Sequence, residues 1–149
     1  MGNQATFGGG VYNLGSNPTY TNILFSGNKA IGRAMYNNGS SPTVTNATIA
    51  GNGGLNGVIF NSVSTPVVKN PIIFGNITPF NDTQSIVTYS IIEGGYPRVG
   101  NLNLNPQFVN MTPSGLALIL SEDNTVINTS AAIDAGDNGT ISLTDKDLV

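Results

Sequence analysis

Cysteine, histidine and tryptophan are absent from the 149 residues, and charge is scarce: five Lys plus Arg and eight Asp plus Glu, 9% in all. Without cysteine there are no disulfides, thiolate metal sites or thiol nucleophiles. Without histidine there is no Ser-His triad, imidazole ligand or imidazole acid-base chemistry. A formal net charge of -3 and a pI near 4.4 remove the positive field that drives nucleic-acid binding and attraction to anionic membranes. No window approaches the roughly 18 consecutive apolar residues of a membrane helix. The N-terminus has neither a basic n-region nor an apolar h-region, so any export signal is expected outside this sequence. Neither nucleic acid nor membrane insertion is expected.

What fills the chain instead is 21 Asn, 19 Gly and 15 Thr, with apolar residues rich in Val, Ile, Phe and Tyr. Such a composition favours turns and strands over helices. The length predicts a single domain, residues 1–149, able to bury a core without staples.

Internal repetition fixes the arrangement. Asn22, Asn46 and Asn70 are 24 apart, and so are Pro18, Pro42 and Pro66, Gly27, Gly51 and Gly75, and Asn28, Asn52 and Asn76. The column Tyr12, Tyr36, Phe60 and the following Asn13, Asn37, Asn61 keep the same step. Each unit holds short runs of strand formers separated by Gly, Asn, Ser and Pro, with no leucine ladder and no ten-residue amphipathic helix. This is the pattern of one turn of a parallel β-helix, in which equivalent residues stack about 4.8 Å apart. Alternation sends Tyr20, Val44 and Val68 inward, with Ile23, Ala47 and Pro71, and with Phe25, Ile49 and Ile73. Asn22, Asn46 and Asn70 then fall at a bend, where stacked amides can bond one another; surface turn residues are the simpler alternative. Residues 86–95 align with 67–76 at a step of 19, as a fourth coil that has lost its outer turn, and Thr78 to Gln84 reads as a loop. Beyond Pro97 the period is lost, and seven of the eight acidic residues lie from Glu93 onward. Residues 1–96 are therefore expected to form coils and 97–149 an irregular C-terminal cap.

The segment GGGVYNLGSNPTYTNILFSGN resembles the coils of bacterial right-handed parallel β-helix surface proteins, the group related to polymorphic outer-membrane proteins. NPQFVN at Asn105 to Asn110 is similar to that group's DPLFVN, and SAAIDAGDN at Ser130 to Asn138 is similar to the SPAIDAGDN of choice-of-anchor Q proteins. TDKDL at Thr144 to Leu148 is similar to the charged segment that follows it. Asn105, Gln107 and Ala131 stand where the group has Asp, Leu and Pro. The resemblance implies an all-β, right-handed β-helix on an exported bacterial protein, at the cell surface or secreted. It leaves function open, because such modules occur in adhesins, autotransporter-like proteins and carbohydrate-active enzymes.

Candidate chemistry is sparse. β-Helix lyases and glycosidases need ionisable groups stacked in register. Within the three regular coils the only ionisable side chains apart from Tyr are Lys29, Arg33 and Lys69, and their columns hold Ala5 and Gly53, Gly9 and Gly57, and Thr45. No catalytic residue is assigned. Asp134 and Asp137 belong to the one oxygen-rich cluster and are the candidate Ca²⁺ ligands, against the simpler reading that they bond backbone N–H groups in turns. Thr19, Thr21, Thr43 and Thr45 form two outward T-x-T rungs, the candidate contact surface; Val67 and Lys69 break the flat Thr array that ice binding would need. The expectation is a non-catalytic module, a rigid scaffold with an adhesion or carbohydrate-contact surface. Its partners would be a polysaccharide or a host or neighbouring surface. An accessory end of a carbohydrate-active, pectin-lyase-like enzyme is the other class. The sequence begins in mid-coil, with Gln4 to Tyr12 matching Asn28 to Tyr36, so self-association through an uncapped N-terminal coil is also expected.

Overall fold

The computed structural model describes residues 1–52, 56–108 and Gly136. Among them the chain is all-β, built of short strands with no helix. The first coil runs through β1 (Gln4–Phe7), β2 (Val11–Leu14), β3 (Thr19–Thr21) and β4 (Leu24–Ser26). The second repeats it as β5 (Lys29–Ile31), β6 (Met35–Asn38), β7 (Thr43–Thr45) and β8 (Thr48–Ala50). The third contributes β9 (Ile59–Ser62), β10 (Val67–Lys69) and β11 (Ile72–Phe74), and the fourth β12 (Ile86–Thr88) and β13 (Ile91–Ile92).

No strand pairs with its neighbour in sequence. Each pairs in parallel with its counterpart one coil away, giving four open sheets: β1-β5, β2-β6-β9, β3-β7-β10-β12 and β4-β8-β11-β13. This is a parallel β solenoid. The register follows the sequence period, with Val11 opposite Met35 and Met35 opposite Ile59, and Thr19 opposite Thr43 and Thr43 opposite Val67. The step then shortens: Val67 lies opposite Ile86 and Ile72 opposite Ile91.

One place departs from the sequence reading and two others add contacts to it. Gln4 pairs with Lys29 while Phe7 pairs with Ile31, so β1 carries one extra residue and Gln4 is not the counterpart of Asn28. An extra residue of this kind is a bulge, and it lets the Asn3 backbone N–H reach Asn28 Oδ1 at 3.1 Å. The segment from Thr78 to Gln84 contains no strand and is a loop, as expected, but it is tied to the third coil. Phe80 bridges Ile59, and the carbonyls of Thr78 and Pro79 accept from Val58 and Ile59. Asn81 completes this rung with its side chain, accepting from the Asn61 N–H at 2.7 Å and donating to the Asn61 carbonyl at 2.9 Å. Beyond Pro97, Leu102 adds a partial rung on Ile91, its N–H bonded to Ser90 O and its carbonyl to Ile92 N–H.

The core is a set of columns inside the coils. Val44, Val68 and Val87 form one and Phe25, Ile49, Ile73 and Ile92 another, all buried, while Met35, Ile59 and Phe80 fill a third wall. Tyr20 and Ile23 are partly buried and pack against this cluster. Burying each such side chain contributes about 1.5–3 kcal/mol, and the columns make that gain repeat once per coil. Close packing of coil on coil leaves no room at Gly10, where a Cβ would lie 2.5 Å from both Ala34 O and Phe25 Cδ1.

Candidate functional site

The bend residues Asn22, Asn46 and Asn70 all have positive φ, at 53°, 54° and 53°. An L-residue pays roughly 1–2 kcal/mol for this region, and Asn tolerates it best after Gly because its short amide bonds locally. Asn46 Nδ2 donates to Asn22 Oδ1 and Asn70 Nδ2 to Asn46 Oδ1, each at 3.2 Å. These amides are partly exposed. Tyr89 takes the same bend in the fourth coil with φ 53°.

Two further Asn columns, present in the sequence period but not singled out there, point inward. Asn13 Nδ2 donates to Asn37 Oδ1 and Asn37 Nδ2 to Asn61 Oδ1, both at 2.8 Å. Tyr20 OH enters the chain from below, donating to Asn13 Oδ1 at 2.7 Å. Above, Asn61 Nδ2 donates to Asp82 Oδ2 at 2.7 Å and to Ser85 Oγ at 3.0 Å. In the second column Asn28 donates through both N–H and Nδ2 to Asn52 Oδ1, and the Asn52 N–H donates to Asn76 Oδ1. Glu93 Oε2 takes over above, accepting from the N–H of Gly75 at 2.8 Å and of Asn76 at 3.3 Å. Each inward ladder thus ends on a carboxylate. The alternation Tyr-in-sequence-before-Asn was the signal: if Tyr12, Tyr36 and Phe60 face out, Asn13, Asn37 and Asn61 must face in.

The Asp82 carboxyl is held below its ordinary value. Partial burial works to raise it, but hydrogen bonds from the Ser85 N–H, the Asn61 amide, the Gln84 N–H and the Ser85 hydroxyl outweigh burial. Tyr96, whose OH donates to the Ser85 carbonyl at 3.2 Å, is shifted upward by burial and by the nearby Asp82 charge.

Outer faces carry the candidate contact groups. Thr19 and Thr21 are exposed and Thr43 and Thr45 half-buried on the sheet of β3, β7, β10 and β12, with Val67 and Lys69 in the next rung. On the sheet of β2, β6 and β9, aromatic rings form a second column. Tyr36 and Phe60 stack at 5.0 Å with an interplanar angle of 14°. Tyr12 meets Tyr36 edge-on at 5.3 Å, and Phe7 from β1 meets Tyr36 edge-on at 5.0 Å. Phe7 and Tyr12 are 43% and 45% exposed, an apolar patch of the kind that marks contact sites.

A groove of about 410 Å³ runs along β1 and β5, lined by Gln4, Thr6, Lys29, Ile31, Arg33 and Asn56 among others. No group of three His, Cys, Asp or Glu that could hold a metal occurs among the described residues. The candidate cation ligands Asp134 and Asp137 lie outside the described residues, although Gly136 between them sits within van der Waals reach of the Asn70 amide, where a Cβ would be 3.5 Å from Asn70 Cγ. Comparison with known proteins finds no matching family model, no similar curated protein and no similar solved structure.

Proposed function

We propose that this chain is a non-catalytic, right-handed β-helix module of an exported bacterial protein, a rigid scaffold whose outer faces contact carbohydrate or a neighbouring surface. The observation that carries this reading is the aromatic column of Tyr12, Tyr36 and Phe60 on the parallel sheet of β2, β6 and β9, joined by Phe7 from β1, on a coil that also bears Thr hydroxyls on the sheet of β3 and β7. Sugar rings offer apolar C–H faces and hydroxyl edges, and partly exposed aromatics with adjacent hydroxyls match both. Laddered amides inside the coils support rigidity, because a contact surface held in one geometry loses little entropy on binding. The resemblance of GGGVYNLGSNPTYTNILFSGN to surface β-helix coils supports export and a bacterial source.

A glycan-array screen of the chain tests this, followed by Tyr12→Ala and by Thr19→Ala with Thr43→Ala. Binding to a defined glycan class that falls at least about tenfold in the Tyr12 variant is the expected result; a tenfold loss is about 1.4 kcal/mol, within the range of one aromatic contact. No binding to any glycan would remove the carbohydrate-contact role, and release of reducing ends or unsaturated sugars would move the chain into the enzyme class.

A further inference from the structure

Charge is divided along this chain in a way its small total conceals. Residues 1–81 contain Lys29, Arg33 and Lys69 and no acidic side chain, whereas residues 82–149 contain all eight acidic residues against Arg98 and Lys146. The regular coils are therefore cationic within an acidic protein. Of those three cations, Lys29 and Arg33 line the same groove, and Lys69 stands apart on β10.

The two acidic residues that are described are committed elsewhere. Asp82 accepts from Gln84, Ser85 and Asn61, and Glu93 accepts from the N–H groups of Gly75 and Asn76. Neither makes an ion pair with Lys29 or Arg33 among the described residues. The groove also offers neutral donors in Gln4, Thr6 and Asn56; Phe7 follows Thr6 as the last residue of β1, and its ring joins the aromatic column through Tyr36. Cations, amides and a hydroxyl thus adjoin an exposed aromatic rim.

We infer that the groove along the paired strands β1 and β5 binds a carboxylated sugar chain, Lys29 and Arg33 pairing with its uronate carboxylates while Phe7 and Tyr12 contact its ring faces. This rests on the carbohydrate-contact reading above and specifies its substrate class. A guanidinium presents a planar fork that matches a carboxylate with two parallel N–H···O bonds, and a lysine beside it adds a point charge. The groups around them suit sugar hydroxyls, and the acidic balance of the whole chain disfavours a polyphosphate, whose binding needs an extended basic surface.

The test is titration of the full chain with a hyaluronan oligosaccharide, a dextran sulfate of similar length and a neutral cello-oligosaccharide, at low and at high salt. Hyaluronan is expected to bind best and to weaken as salt screens the pair. The double substitution Lys29→Gln and Arg33→Gln is expected to lower hyaluronan affinity at least about tenfold, while Lys69→Gln leaves it unchanged. Melting curves of each variant establish that the fold is retained. Undiminished hyaluronan binding in the double variant, tighter binding of dextran sulfate, or binding of the neutral chain alone would overturn the inference. The last of these would leave the broader carbohydrate-contact reading standing, whereas failure of all three ligands together with an empty glycan array would overturn both.

Discussion

The side-chain amide of Asn61 donates to the carboxylate of Asp82 across 2.7 Å, and this bond ends a chain of side chains that begins at Tyr20 and passes through Asn13 and Asn37. Every amide in it points the same way, so each bond polarises the next toward the carboxylate. The outer ladder runs in the opposite sense, with Asn46 donating to Asn22 and Asn70 to Asn46. Amide dipoles on the two sides of the coil therefore oppose each other.

Removing a link should cost according to burial. Asn37→Ala leaves the Asn13 donor and the Asn61 acceptor unpaired inside the coil, and a loss of about 2 to 4 kcal/mol is expected. Asn46→Ala, at the half-exposed bend, should cost about 1 to 3 kcal/mol, and Asn38→Ala, outside the inward ladder, less than either. For a domain of this length each kcal/mol is about 2–4 °C in Tm. Equal melting shifts for the three variants would take the ladders out of the account.

Acid should act on the top of the inner ladder. Because hydrogen bonds lower the folded-state pKa of Asp82, its contribution is fully present above the ordinary Asp value, about 3.9, and is lost as pH falls through the lowered folded value. Asp82→Asn keeps an acceptor for the N–H groups of Gln84 and Ser85 but presents no charge to Asn61. The variant should melt below the parent at pH 7, and the gap should close as pH drops below about 4. A gap that is constant with pH would contradict the role given to the carboxylate.

Strands β1, β2 and β3 each end their sheet with no further strand beyond them among the described residues, and Phe7 is exposed beside them, whereas the end strand β4 already has Ser26 O accepting from the Gly2 N–H. Parallel edges of this kind accept a further strand, so concentration-dependent association through these coils is expected. Sedimentation that shows only monomer up to millimolar protein would contradict it.

Much of this was legible in the sequence because a stacked fold turns spacing into contact. The Pro18, Pro42 and Pro66 column predicted the rungs in which their carbonyls accept from Thr43, Val67 and Ile86. Alternation likewise predicted the buried Val44 and Val68 and the inward Phe25, Ile49 and Ile73. Illegible were the contacts that break the period. Asn81 imitates a strand with its side chain, Asp82 reaches Asn61 from an irregular turn, and the bulge in β1 shifts Gln4 by one residue. The inward Asn columns were hidden by abundance, since with 21 Asn the turn reading of each is the default. The groove was hidden because Gln4 and Lys29 become neighbours only through that bulge.

Everything proposed for the outer faces depends on coils stacked at the observed register, and the lack of cysteine makes that register directly testable. In parallel neighbours, Thr19 and Thr43 stand opposite each other, as do Thr45 and Lys69. Strands in a ladder lie about 4.8 Å apart, within the Cα separation a disulfide spans, while positions two coils apart are about 9.6 Å distant and outside it. Paired cysteines should be introduced at 19 with 43, at 45 with 69, and at 21 with 69, and oxidised at low protein concentration. Intramolecular disulfides in the first two pairs and none in the third are the expected result; ready closure of 21 with 69, or failure of both adjacent pairs in folded protein, would contradict the stacked-coil account.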